Sequence, residues 1–219
     1  MNILKMANLD FTTDFSSFLC KQILKATTAF NLLLLDNPAF FSYPEFSSVK
    51  GNLLNYSIEH CLYEASFTEK VNCKAYQKEV NKYKRSILHL QTEHFILTTG
   101  KTYKWYNLPS PSSYKLKYAK QNIGSDGQLS FDFVNEAFVE EPYYAVLTYG
   151  YNSLTNECTH IDLLIPASDY KGIVFHKDIL SVRNEMVVIP TNNEVEETVA
   201  KLKPEFSKKI NNTSNGEQI

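Results

Sequence analysis

Apolar residues recur every three to four positions at both ends of this chain and alternate in twos through its middle, which limits it to helices flanking a sheet. Near the start, Phe11, Phe15, Phe18, Leu19, Ile23, Ala26 and Phe30 trace one face of a helix over residues 10–30, and Asp10 to Asp14 supply capping side chains. A second helix is expected from Ser47 or Ser48 to about Ala65, burying Leu54, Ile58, Cys61, Leu62 and Ala65. At the other end, Val195, Val199, Leu202, Phe206 and Ile210 form the stripe of a helix starting near Asn193, with Pro204 expected to kink or end it. Residues 211–219 read as a disordered tail.

The middle has a different period. Residues 86–90 and 94–98 look like two strands joined by a short turn, and Tyr143–Tyr149 and Cys158–Ile165 like an antiparallel hairpin around the polar Asn152–Asn156. Leu129–Phe133 and Val187–Ile189 are further strand candidates. Residues 67–75 alternate like a strand, whereas 76–85 fit a charged helix equally well. Strand–helix–strand alternation is missing, so a doubly wound parallel sheet is not expected. The reading is an α+β chain over residues 1–210, with an antiparallel sheet packed against N-terminal and C-terminal helices.

Several functional classes are disfavoured. Seven glycines in 219 residues leave no phosphate-cradling loop, and serine nucleophile elbows and HExxH are missing as well. The longest apolar run, Leu32–Leu35, is far short of the roughly 20 residues of a membrane helix. Met1–Lys5 does not open a signal peptide. Cys20, Cys61, Cys73 and Cys158 are scattered, without a CxxC pair, so neither a disulfide framework nor a zinc finger is indicated. These features together predict a cytoplasmic protein with no cofactor.

Charge is the most informative functional signal. Residues 70–120 hold eleven lysines and arginines against Glu79 and Glu93, a net +9, while the rest of the chain carries −11. Within that stretch cations and rings interleave: Lys101, Tyr103, Lys104 and Trp105, then Lys115, Lys117, Tyr118 and Lys120. Positive charge suits phosphates and flat rings suit unpaired bases, so the segment predicts a site for single-stranded or distorted nucleic acid, in a regulatory or mobile-element role. The bland alternative is an aromatic core strand with solvated lysines outside. A second functional class is a protein-interaction module or small inhibitor whose basic segment docks on an acidic partner.

Catalytic signals are weaker. On one strand, Cys158, His160 and Asp162 would share a face, which offers a thiol–imidazole–carboxylate set for a hydrolase or nuclease. Their one-strand spacing is too wide for a common zinc ion, so no metal is expected there. Asp162 followed by Asp169-Tyr170-Lys171 has the acid, acid-x-Lys order of metal-dependent nucleases, but Pro166–Asp169 is turn-like where that pattern needs a strand. His89 and His94, with Glu93, bracket the first hairpin turn and are read as satisfied, partly buried side chains.

Overall fold

A computed structural model describes residues 2–41, 47–80, 85–122, 141–181 and 190–214. The α+β reading holds: helices from both ends of the chain cover one face of a six-stranded sheet. The helices are α1 (Ile3–Asp10), α2 (Thr13–Asp36), the one-turn α3 (Pro38–Phe41), α4 (Ser47–Thr68), α5 (Ser113–Ala119) and α6 (Asn192–Ser214). The strands are β1 (Lys74–Glu79), β2 (Ser86–Gln91), β3 (Phe95–Lys101), β4 (Tyr143–Asn152), β5 (Glu157–Pro166) and β6 (Ile173–Asp178).

The strands lie side by side in sequence order, and every neighbouring pair is antiparallel except β3 and β4. That parallel pair departs from an all-antiparallel sheet because the chain from β3 to β4 crosses the sheet instead of turning back on itself. Residues 102–122, the described part of this crossover, cover the face opposite the helices. Registers are not uniform. β1 and β2 pair over six residues and β3 and β4 over seven, but β2 meets β3 only at Leu90↔Leu97 and Gln91↔Ile96.

Local chemistry explains most boundaries. Asn2 and Thr12 cap α1 and α2 through their side-chain oxygens, which accept from Leu4 N at 2.8 Å and Phe15 N at 3.2 Å. α4 continues three residues past Ala65, and the strand begins only at Lys74, so the alternation over 67–75 is mostly helix end and connection. Pro204 lies inside α6 without ending it; Leu202 and Phe206 on either side remain buried, and the helix runs through Ser214. The strand candidates at 129–133 and 187–189 fall outside the described residues.

Pleating sends alternate residues of each strand to opposite faces. Leu88, Leu90, Phe95, Leu97, Ala145, Leu147, Tyr149, Ile161, Leu163 and Ile165 join the buried stripes of α1, α2, α4 and α6 in the main core. Phe11 lies against Phe95 with ring centroids 4.7 Å apart, which brings the α1–α2 turn onto β3. Lys21 ties α2 to α6 through Glu194 at 2.7 Å, holding the Glu194 carboxyl down to about 2 with help from Thr191. By length and composition α2 could cross a membrane, but 56% of its apolar window is buried within the fold.

The opposite face is aromatic and polar. Tyr118, Ala119, Tyr144, Val146 and Tyr170 form a second, smaller cluster beneath the crossover. Asn122 pins the end of α5, donating to Tyr144 O at 2.9 Å and Pro166 O at 2.8 Å and accepting from Tyr144 N at 2.8 Å. Tyr170 donates to Pro109 O at 3.2 Å. Two glycines permit the close approach: a side chain at Gly100 would collide with the Pro109 ring, and one at Gly150 with the His160 ring and the Thr159 hydroxyl.

Candidate functional site along the crossover

The basic, aromatic segment does not form one strand face. Lys101 ends β3, residues 103–106 bend over the end of the sheet, and α5 begins at Ser113. This turns the segment into a surface loop followed by a short helix, and its residues separate accordingly.

Tyr103, Lys104, Trp105 and Tyr106 are exposed, Tyr103 almost completely at 94% and Trp105 at 59%. Lys117 and Lys120 are exposed on the outer side of α5 and its following turn. Tyr118 is 7% exposed; its ring packs 5.5 Å from Tyr144 and 5.3 Å from His89, with Lys78 Nζ 5.3 Å from its centroid. Its aromatic surface is therefore spent inside the fold. Lys115 is 8% exposed and donates to Ser110 O at 3.1 Å; burial, reinforced by nearby Arg85, pushes its ammonium down to about 8.

Lys101, Tyr103 and Lys115 meet on one cleft of about 690 Å³. It opens where β2 and β3 stop pairing, with Arg85 and Ile87 on one wall and Thr99, Gly100 and Lys101 on the other. Lys50 from α4 and Tyr114, Tyr149 and Tyr151 complete much of the lining. Among the described residues, four cations thus face the cleft against one carboxylate, Glu59, which already accepts from Thr99 at 3.0 Å and Asn55 at 2.9 Å. Lys101 Nζ lies 5.8 Å from the ring centroids of both Tyr103 and Tyr151. Lys50 and Arg85 carry no motif of their own, and only the folded chain brings them to this place.

A second constellation lies under the same loop. Cys158, His160 and Asp162 do not share a face, because the register slips between Gly150↔His160 and Tyr151↔Cys158 and leaves Thr159 as an extra residue. The slip turns Cys158 toward the helix-side core with Tyr151, while His160 and Asp162 stay on the crossover side. There the His160 imidazole hydrogen-bonds Thr102 Oγ1 at 2.7 Å and Thr159 Oγ1 at 3.1 Å. Burial lowers its pKa against the opposing pull of Asp162 and Asp178.

Asp162 is fully buried, and Oδ1 lies 2.7 Å from Nε2 of His176, a residue on β6 that the sequence reading did not select. The Tyr106 amide reaches Asp162 Oδ2 at 3.4 Å. Trp105 and Tyr106, themselves in contact at 6.3 Å, both pack against the His176 ring at near-perpendicular angles, with centroids 5.4 and 4.7 Å away. Tyr106 adopts φ 55°, a left-handed conformation costly for an aromatic residue and held here by its neighbours. Ile173-Val174-Phe175 after Gly172 is a strand signal, but His176 pairs with Leu164 and reaches Asp162 only diagonally across the β5–β6 ladder, a register that the sequence does not display.

The remaining candidates separate. Asp169 accepts from the Lys171 amide at 2.9 Å in an exposed turn, far in character from a strand-borne metal ligand. His89 is wholly buried between Tyr76 and Tyr118, neither ring nitrogen meets a hydrogen-bond partner among the described residues, and burial pushes its pKa down to about 4. His94 turns away from it to Asp10, with Nδ1 and Oδ1 2.8 Å apart. Asp10, Glu93 and His94 are the one group of potential metal ligands that converges among the described residues. Asp10 is already engaged, accepting from the His94 amide at 2.8 Å and the Thr92 hydroxyl at 2.6 Å, so it serves as a brace for the β2–β3 turn. Burial raises the Cys61 and Cys73 thiols to about 12 and about 11, which keeps them protonated and unreactive.

No protein-family model matches the chain, and no curated protein or solved structure matches it either.

Proposed function

We propose that this protein binds single-stranded nucleic acid along the 101–115 crossover, with the backbone entering the cleft between β2 and β3. The observation that carries the reading is the convergence of Lys101, Tyr103 and Lys115 with Lys50 and Arg85 on one cleft that, among the described residues, contains a single, already engaged carboxylate. Cations in a cleft concentrate an anionic ligand, and the exposed rings of Tyr103 and Trp105 offer stacking surfaces to bases that are not paired. Lys104, Lys117 and Lys120, exposed nearby in sequence, extend the basic track; Tyr118 takes no part because its ring is packed inside.

Fluorescence anisotropy with a labelled single-stranded oligonucleotide across a salt series tests this. Affinity should fall steeply with salt, and each of Lys101→Ala and Lys50→Ala should flatten the slope by about one unit. Lys115 gives the site a pH signature. Its folded pKa is held down to about 8, so its charge is present below that pH and lost as pH rises through it. Affinity should therefore drop between about pH 7 and about pH 9, and Lys115→Met should remove most of that drop. Binding that is absent at low salt would overturn the proposal and favour an acidic protein partner instead.

A further inference from the structure

We infer that the Asp162–His176 pair beneath Trp105 and Tyr106 is a proton-transfer site that cleaves an RNA phosphodiester by taking the proton of the adjacent ribose 2′-hydroxyl, an inference that rests on the nucleic-acid reading above.

The arrangement has the parts that such a step needs. Asp162 is fully buried, with Oδ1 2.7 Å from His176 Nε2; with Nε2–H donated to the carboxylate, the neutral imidazole presents its acceptor lone pair at Nδ1, which meets no hydrogen-bond partner among the described residues. His176 itself keeps 19% of its side chain exposed, so a ligand atom can reach the ring. The exposed rings of Trp105 and Tyr106 lie together against it, 6.3 Å from each other, and offer a stacking surface for a base next to the imidazole. The same short loop places Tyr103 on the lining of the basic cleft and Trp105 and Tyr106 against His176. Around the dyad, Asp178 is opposite Asp162 in the β5–β6 register, and His160 is engaged by Thr102 and Thr159. His176 is therefore the imidazole in this cluster without a second protein partner among the described residues.

The chemistry balances with water alone. His176 Nδ1 takes the proton of a ribose 2′-hydroxyl, and the 2′-oxygen forms a bond to the adjacent phosphorus. The bond from phosphorus to the 5′-oxygen breaks, and that oxygen leaves with a proton from water. The products are a 2′,3′-cyclic phosphate and a 5′-hydroxyl, and the imidazolium returns its proton to solvent. Buried Asp162 stabilises the imidazolium while it lasts, which makes it a positioning residue and His176 the catalytic one. DNA, lacking the 2′-hydroxyl, is bound and left intact.

The test uses the full chain with a labelled single-stranded RNA and its all-deoxy counterpart, in the presence of a chelator. The expected result is cleavage of the RNA only, with 2′,3′-cyclic phosphate ends. His176→Gln should slow cleavage by about 100-fold or more while leaving anisotropy binding and the melting curve unchanged. Asp162→Asn should slow it as well by lowering kcat while KM and anisotropy binding stay unchanged, since the imidazolium formed during the step loses its counter-charge; a purely structural role would instead lower binding and the melting curve together. Equal cleavage by the parent and His176→Gln, or intact RNA with binding retained, overturns the dyad and leaves the binding reading standing. Intact RNA with no binding overturns both.

Discussion

The two faces of the sheet are built from the same strands and do opposite things. On the helix side, Leu97, Leu147, Ile161, Leu163 and Ile165 meet apolar stripes from both ends of the chain, and the buried polar side chains there, such as Ser16, Gln22, Thr27 and Ser57, are uncharged. On the crossover side, Thr98, Tyr144, Thr148, His160 and Asp162 are just as buried, yet nearly every one carries a hydrogen bond. One face is specified by apolar area, which is tolerant of exact partners; the other is specified by pairing, which is not. A chain that needed only stability would gain little from burying Asp162, His89, His160 and Lys115 on this side of the sheet. On the proposed function, the crossover face is the working side of the molecule.

The largest effect should come from the helix face. Leu97→Ala removes a fully buried side chain from the middle of β3 and should cost about 2–5 kcal/mol in denaturant unfolding, with unchanged oligonucleotide affinity for the molecules that remain folded. A coupled loss of affinity would mean that the two faces are not separable. Acid should act on the crossover face instead. His89 has its folded pKa pushed down to about 4, so the unfolded chain binds more protons between about pH 6.5 and that value. Stability is therefore full above about pH 6.5 and should decline by up to about 3 kcal/mol as pH falls toward 4, a decline that His89→Phe should blunt.

Gly150→Ala should cost about 1–3 kcal/mol, because the added methyl displaces the His160 ring and the Thr159 hydroxyl. It sharpens the comparison, since a methyl group added to an exposed helix position would be nearly silent. The smallest stability effect is expected at Trp105. With 59% of its surface exposed, Trp105→Ala should leave unfolding within about 0.5 kcal/mol, while single-strand binding weakens by about 1–3 kcal/mol and the salt slope barely changes.

How much of this was visible in the sequence follows the same division. The helix face was legible because apolar periodicity is a local signal: the stripes of α2, α4 and α6 were identified nearly residue by residue, and so was the β4–β5 hairpin. The crossover face was not, because its partners are distant in sequence. His176 reaches Asp162 across fourteen residues and Lys50 reaches Lys101 only through the fold. The single-residue slip at Thr159 also separated Cys158 from His160, and a bulge leaves no mark in hydrophobic alternation. Tyr118 and Lys115 showed the right residue types, but seven residues of helix where a strand was considered turned them inward.

The most direct test of the division is ultraviolet cross-linking of a single-stranded oligonucleotide to the intact protein, with the modified residues located by mass spectrometry. Cross-links at Tyr103, Trp105 or Tyr106, with the exposed Phe67 and Leu35 on the helix layer unmodified, are the predicted result. Cross-links confined to the helix layer, or none under conditions where the oligonucleotide is bound, would contradict the assignment of the crossover face as the ligand side.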